Sequence, residues 1–593
     1  VSHASFDHAV NLAAHGAAGS NLDATALAPT LLATAMRIGD VPTTALVVVA
    51  AYAAAIILVG VWANRRGSRD GNAASTSGYF LAARSMPVWA VAVSMLATMQ
   101  SAATFVGVPE QAFNGNLVYL SASAAPIIAG LILARVFIPA YYRLGVTTPY
   151  QLLDTRFGPG ARIATSWAYL IGRVFASGAR LYVGAIPLAL VLFGERTTTT
   201  LAIVLACLTI FAILYTLKGG LESVIWSDIV QVGVYVGAAA CVLVFLWFHI
   251  PAPGSAVLAA LSEGTAGGTG GGAGGSSDAR SKLRVVELGI NLLATPPIDV
   301  SQRFTVVTII TGWTLVNLAA LGTDQDLVQR LLTCRDARRG SLSAIASTLV
   351  GLPVVVLFAC VGLLLWVVCA RPDVMGRPTP PELTGPGAEM LIRVAMHEMP
   401  GWLLGLVLAG VLAAGPAGHN ATLNSMASTI VTDVYTPLKP GRSERHYLWV
   451  GRLMVCVCGV ILCVFAICCA AWQSARGDQL IDFVLAVMTF AYAGLLGVFI
   501  CALMTRRGTS ASVVAALGTG FCVVLALEPT IFPRWAVHTP WIGASLEGVR
   551  IATPWAMCAG TLAAFLVCVA PRGRAATRGP AATRPSSLAG GRA

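Results

Sequence analysis

The sequence predicts an all-α polytopic membrane protein, and three observations predict it. Hydrophobic residues make up 56% of the 593-residue chain, only 11% of residues are charged, and the mean hydropathy is +0.77. A soluble domain carries about 25% charge, so most of this protein's outer surface must face lipid. The apolar residues are also gathered into long runs, and a bilayer core about 30 Å thick takes roughly 20 of them per helix. Runs of that length satisfy their backbone hydrogen bonds in hydrocarbon only as helices. Intrinsic disorder, a collagen-like rod and a disulfide scaffold are excluded by the same composition.

Thirteen segments are long and apolar enough to span. In order they are 43–64, 87–108, 117–142, 163–193, 199–217, 225–248, 304–321, 345–369, 402–431, 448–472, 480–504, 511–527 and 551–569. The net charge of +12 does not indicate nucleic acid, because Arg and Lys cluster in the short connections between apolar runs. Arg65, Arg66, Arg69 and Arg84 follow the first span; Arg143, Arg156 and Arg162 follow the third. Lys218 follows the fifth, and Arg330, Arg335, Arg338 and Arg339 follow the seventh. The connection at 110–116 has no basic residue. Basic connections stay in the cytoplasm, so the N-terminus is expected outside and the Arg-rich tail inside, in a plasma (inner) membrane. The first basic residue is Arg37, so no charged n-region of a signal peptide is expected.

Some features carry no chemistry. The 14 cysteines fall almost entirely within apolar runs, where a thiol acts as a small apolar side chain. The Gly-rich stretch 264–275 has no Walker lysine after it and reads as a flexible external tether. His3, His8 and His15 read as a frayed tail rather than a metal site.

Polar residues inside spans are costly and therefore mark candidate sites. In the second span Gln100, Ser101 and Thr104 interrupt an apolar helix, and Gly107 and Pro109 are expected to weaken its end. An opened helix would free carbonyls for a cation and helix ends for a solute. Hydrogen bonding between helices by small polar residues fits the same pattern. Asp228 enters the sixth span with no basic residue at helical spacing, and so stands beside a cation, is protonated, or pairs with a distant arginine. In the ninth span Gly415 and Pro416 are expected to mark a break ahead of His419, Asn420 and Thr422. A mid-membrane histidine can carry protons or simply pack. Arg173 and Arg180 lie seven apart on one helix face, where guanidiniums could receive an anionic solute; Arg180 could equally reach Asp228.

Several stretches resemble the sodium:solute symporter family: 78–87 (GYFLAARSMP), 101–109 (SAATFVGVP), 137–146 (FIPAYYRLGV), 219–228 (GGLESVIWSD) and 323–330 (TDQDLVQR). The match runs in order from about Gly78 to Asp433. The resemblance implies a ten-helix core, 78–504, of two inverted five-helix repeats like that of LeuT, with solute near the midplane. Around it the expected organisation is an external tail (1–42), one accessory helix (43–64), a Gly-rich external loop (251–301), two accessory C-terminal helices (505–570) and a cytoplasmic Arg-rich tail (571–593).

The resemblance also implies site residues. The main Na+ would take carbonyls at Ala97, Gln100 and Ala414, with Asp228 supporting this ion or a second one. Solute would bind near Thr104 and Asn317, with Gln100 and Arg180 as further candidates. One departure stands out: the family's Ser-Ser pair falls on Ala417 and Gly418, so both hydroxyl ligands are missing. Na+ is a hard cation that needs about five or six oxygens. The expected function is secondary active, sodium-coupled symport of a small organic solute by alternating access, with lipid and solute as the only partners. Two alternatives stay open: proton coupling through His419 and Asp228, and a non-transporting membrane sensor. No nucleophile–base pair or metal cluster suggests an enzyme.

Overall fold

The computed structural model describes residues 41–69, 76–218, 221–264, 281–290, 299–476, 480–528 and 551–571. The N-terminal histidines, nearly all of the Gly-rich stretch and the Arg-rich tail lie outside the described residues. Every predicted span contains an apolar helix. An accessory helix α1 (Thr43–Arg69) precedes a broken pair, α2 (Val88–Met99) and α3 (Ala102–Asn114). Next come α4 (Leu117–Leu144), α5 (Pro159–Phe193), α6 (Thr198–Lys218) and α7 (Leu221–His249). The second half holds α8 (Val306–Thr323), α9 (Ala337–Ala370), α10 (Gly401–Leu438), α11 (Glu444–Arg476) and α12 (Leu480–Met504). Two more, α13 (Ser510–Ala526) and α14 (Thr553–Val569), follow.

Among the described residues nine helices are long and apolar enough to cross a membrane, or eleven if each bent pair is one span. The helices α13 and α14 have 17 residues each, about 25 Å at 1.5 Å per residue. The expected count of thirteen therefore rests on these two shorter helices. Burial orders the bundle. In the apolar window of α5, 83% is buried, against 11% for α1, so α5 is a central strut and α1 faces lipid.

The helix breaks are not all where the sequence placed them. The first core helix breaks at Gln100 and Ser101, both extended (φ −77°, ψ 145° and φ −149°, ψ 176°), with a 58° bend. It then runs straight through Gly107 and Pro109, contrary to expectation. α9 packs closely against this stretch at Gly362, where a Cβ would sit 2.4 Å from the Pro109 carbonyl oxygen. Gly362→Ala is accordingly expected to cost about 1–3 kcal/mol through overpacking, read as a lower unfolding temperature in detergent. The expected break at Gly415–Pro416 is also absent: the helix is continuous over Gly401–Thr429. A second interruption falls instead at Asp324 (φ −84°, ψ 120°), between α8 and the short helix Gln325–Leu331. Both halves of the core thus begin with an interrupted helix.

Lys282 pins the segment 281–290 to the end of α3. Its Nζ donates to the Phe113 carbonyl at 2.6 Å and lies 4.8 Å from the centre of the Trp366 ring. Burial pushes this ammonium down from 10.5 to about 8. The unfolded chain keeps the proton longer than the folded one, so this group's contribution to stability rises with pH between about 8 and 10. Lys282→Met should flatten that rise, measurable as the slope of unfolding temperature against pH.

Candidate functional site

The first helix break opens on a cavity of about 180 Å³, which Leu321 and Leu327, on either side of the Asp324 interruption, also line. Gln100, Ser101 and Thr104 line it at the first break, and Trp313 and Asn317 line it from α8. Arg173 and Arg180 enter from α5, and Met488 and Tyr492 from α12, which bends by 47° between Phe490 and Tyr492. The four residues singled out for solute, Gln100, Thr104, Asn317 and Arg180, therefore share one cavity. Local structure explains their placement. The Ser101 N–H donates to Thr104 Oγ1 at 3.4 Å, starting α3 beside the cavity. A π-helical turn, Ile309–Trp313, widens α8 just before Asn317, whose Nδ2 donates to the Trp313 carbonyl at 2.8 Å; such turns recur at functional sites. Tyr119 and Phe304 also line the cavity, edge to face at 5.1 Å, and Phe304 stacks on Trp313 at 5.4 Å.

Beneath the cavity lies a buried ladder of charges. Asp324 caps the short helix Gln325–Leu331, its Oδ1 accepting from the Asp326 N–H at 3.0 Å. That helix projects Asp326 and Arg330 one turn apart. Arg173 Nη1 bonds Asp324 Oδ2 at 2.6 Å, while its Nη2 bonds Asp326 and, at 2.9 Å, Thr422 Oγ1. Arg330 bonds Asp326 at 2.8 Å and Asp228 at 3.2 Å. The Ser94 hydroxyl donates to Asp228, and the Tyr492 hydroxyl donates to Asp324 at 2.7 Å. Three carboxylates thus meet two guanidiniums at the junction of α2, α5, α7, α8 and α10.

This ladder settles two questions that pattern left open. Asp228 pairs with a distant arginine, and that arginine is Arg330 rather than Arg180. Arg173 is saturated by protein groups and is not free to receive a solute. Arg180 differs: its bonds are to the Thr98 carbonyl and the Met488 sulfur, both at 3.4 Å. Among the described residues it has no carboxylate partner.

Two small cavities flank Ala414. One, of about 10 Å³, is lined by Ala97, Gln100 and Ala414 together with Gln231 and Tyr235 of α7. It gathers the three carbonyl positions expected around the main ion; Asp228 does not line it. The other, of about 20 Å³, is lined by Ser101, Arg173, Ser177, Arg180, Gly418 and His419. His419 is buried, with neither ring nitrogen partnered among the described residues, and no hydrogen bond joins it to Asp228. The side chain of Ala417 lies outside the described residues.

Broken membrane helices around a central cavity, with polar groups buried at the breaks, define a membrane-embedded transporter. The comparisons specify which kind. The chain belongs to the sodium:solute symporter family, whose model matches residues 79–520. It is 25% identical over 479 residues to the human sodium/iodide cotransporter, covering 80% of this chain and 68% of that one. It is 28% identical over 543 residues to the rat sodium/glucose cotransporter 2, covering 82% and 74%. Its fold matches that of a Na+-coupled sialic acid symporter in a substrate-bound outward-open state, with a TM-score of 0.69, 20% identity, and 89% and 97% of the two chains covered. The protein is thus an integral membrane symporter with Na+ as its coupling ion.

Sequence reasoning missed Ser94, Tyr492, Gln231 and Tyr235. Ser94 and Tyr492 have no local signal, since each acts on a helix distant in the chain. Gln231 and Tyr235 did have one: they follow Asp228 at helical spacing on α7.

Proposed function

We propose that the protein takes up a small anionic organic solute together with Na+, binding it in the 180 Å³ cavity through Arg180. The carrying observation is that guanidinium, which opens on the cavity without a carboxylate partner among the described residues. An unpaired charge in a low-dielectric site is unfavourable, and a carboxylate satisfies the guanidinium fork with two parallel hydrogen bonds. The names of the relatives span an anion and a sugar, so they do not choose; Arg180 does. Cavity size narrows the reading further. A cavity of about 150 Å³ holds benzene, so 180 Å³ suits a short-chain carboxylate. Gln100, Thr104 and Asn317 orient the solute, while Ala97, Gln100 and Ala414 contribute carbonyls to the main Na+ site. Asp228 acts at one remove, through Arg330.

The basic connections support an N-terminus outside and a C-terminus in the cytoplasm of a plasma (inner) membrane. Reporter fusions after Gly67 and Gly573 should both signal cytoplasm; an external signal at either contradicts this topology. Transport is tested in proteoliposomes with an imposed inward Na+ gradient. Uptake of radiolabelled short-chain carboxylates should exceed that of hexoses, and should collapse when K+ replaces Na+. Hexose uptake without carboxylate uptake would overturn the anionic reading.

A further inference from the structure

We propose that the 20 Å³ cavity beside Arg180 receives one carboxylate oxygen of the solute, and that the His419 imidazole donates a hydrogen bond to it there. The body of the solute stays in the 180 Å³ cavity. The assignment rests on that solute being anionic.

The small cavity is built to donate. Ser101, Arg173, Ser177, Arg180 and His419 line it, and no carboxylate does. Arg173 is already neutralised by Asp324 and Asp326, so Arg180 supplies the uncompensated charge. Its Nη1 reaches the Thr98 carbonyl only at 3.4 Å, longer than the usual ~2.9 Å of an N–H···O bond. His419 is 3% exposed, and neither ring nitrogen has a partner among the described residues. A neutral imidazole carries one N–H in either tautomer, so one donor is left over whichever nitrogen holds the proton. Leaving a buried donor unpaired is costly, and an acceptor that also carries negative charge answers both His419 and Arg180. Ser101, Arg173 and Arg180 line the 180 Å³ cavity as well. The two spaces therefore meet at Arg180, and one solute can reach into both. A water needs about 10–15 Å³, so 20 Å³ admits a single oxygen and excludes the body of a solute.

Room for that oxygen comes from Gly418. It lines the small cavity, and a Cβ on it would meet nothing within 4 Å. A serine at 418, as the family pattern has it, would place a hydroxyl in space that this chain keeps open. The departure at 418 and the unpartnered histidine next to it then have one explanation. Where the family places a hydroxyl, this chain leaves room for a solute oxygen and sets an imidazole donor beside it.

The test is calorimetric titration of the purified full-length protein, at high Na+, with acetate, propionate, butyrate and lactate. His419→Leu should weaken the tightest of these about tenfold, the loss of one hydrogen bond to a charged group. Its unfolding temperature without solute should stay level or rise, because an unpartnered buried polar group has been removed. His419→Gln keeps an N–H donor and should recover part of the lost affinity. Gly418→Ser should weaken binding several-fold by filling the space, and it decides the matter if His419→Leu fails to fold. Unchanged affinity in a folded His419→Leu or in Gly418→Ser would overturn the subsite while leaving the Arg180 reading intact; the small cavity would then hold water. Equal weakening by the Leu and Gln variants would give the imidazole a role in shape alone, and overturn its role as donor. An unmodified protein that binds none of the four carboxylates would sink the anionic solute itself.

Discussion

Arg173→Met is expected to abolish transport and to destabilise the protein by about 3–5 kcal/mol, the cost of removing one partner from a buried ion pair. Arg173 holds Asp324, Asp326 and Thr422 at once. Its loss would leave Asp324 without a cation and Asp326 sharing Arg330 with Asp228 beneath the cavity. Thermal unfolding in detergent gives the stability, and Na+-driven uptake gives the function. Adding Asp324→Asn and Asp326→Asn to the same variant should restore much of the stability, because no charge is then left alone. Uptake should stay lost, because the junction of α5, α8 and α10 would no longer be pinned. Normal stability in Arg173→Met alone would show that the ladder is not structural.

Arg180→Gln should behave in the opposite way. With no carboxylate partner to strand, its removal should leave the unfolding temperature unchanged or raised. Hydrogen bonds to charged groups contribute about 1.5–3 kcal/mol, so apparent affinity for a carboxylate solute should fall about 10- to 100-fold. Arg180→Lys keeps the charge without the planar fork, so an intermediate loss is expected. Equilibrium competition binding separates the three variants. Two arginines on one helix face thus have opposite expected signatures, and only their partners distinguish them.

That distinction explains what the sequence could and could not reveal. Each apolar run became a helix because bilayer length and backbone satisfaction leave no alternative, so the spans were legible, although helix ends run up to eight residues past the apolar stretches, as at Ala337. Of the residues sharing the cavity, Gln100, Thr104 and Arg180 were legible as polar residues placed where hydrocarbon penalises them, while Asn317 came only from the family resemblance. Helix breaks were harder. Gly107-Val-Pro109 and Gly415-Pro416 carry the usual breaking residues, yet both stretches remain helical, while the break at Gln100–Ser101 has neither glycine nor proline beside it and the one at Asp324 has only Gly322, inside the end of α8. A local cap decides one position and a tertiary partner the other: the Ser101 N–H turns to Thr104, and Asp324 is drawn to Arg173. The pairing of Asp228 with Arg330 spans 102 residues, and no periodicity reports a contact of that kind. Gln231 and Tyr235 escaped notice because an uncharged polar residue in an apolar helix looks like ordinary packing until its oxygen is found without a partner.

Joint binding of solute and Na+, the solute through the Arg180 guanidinium, is the expectation on which transport rests. It is tested most directly by isothermal titration of the purified protein with a short-chain carboxylate panel, in Na+ and again in choline. Saturable carboxylate binding is expected, strengthening with Na+ concentration and lost in Arg180→Gln while a folded protein remains. Carboxylate binding equally tight in choline and in Na+, or untouched by Arg180→Gln, would contradict it.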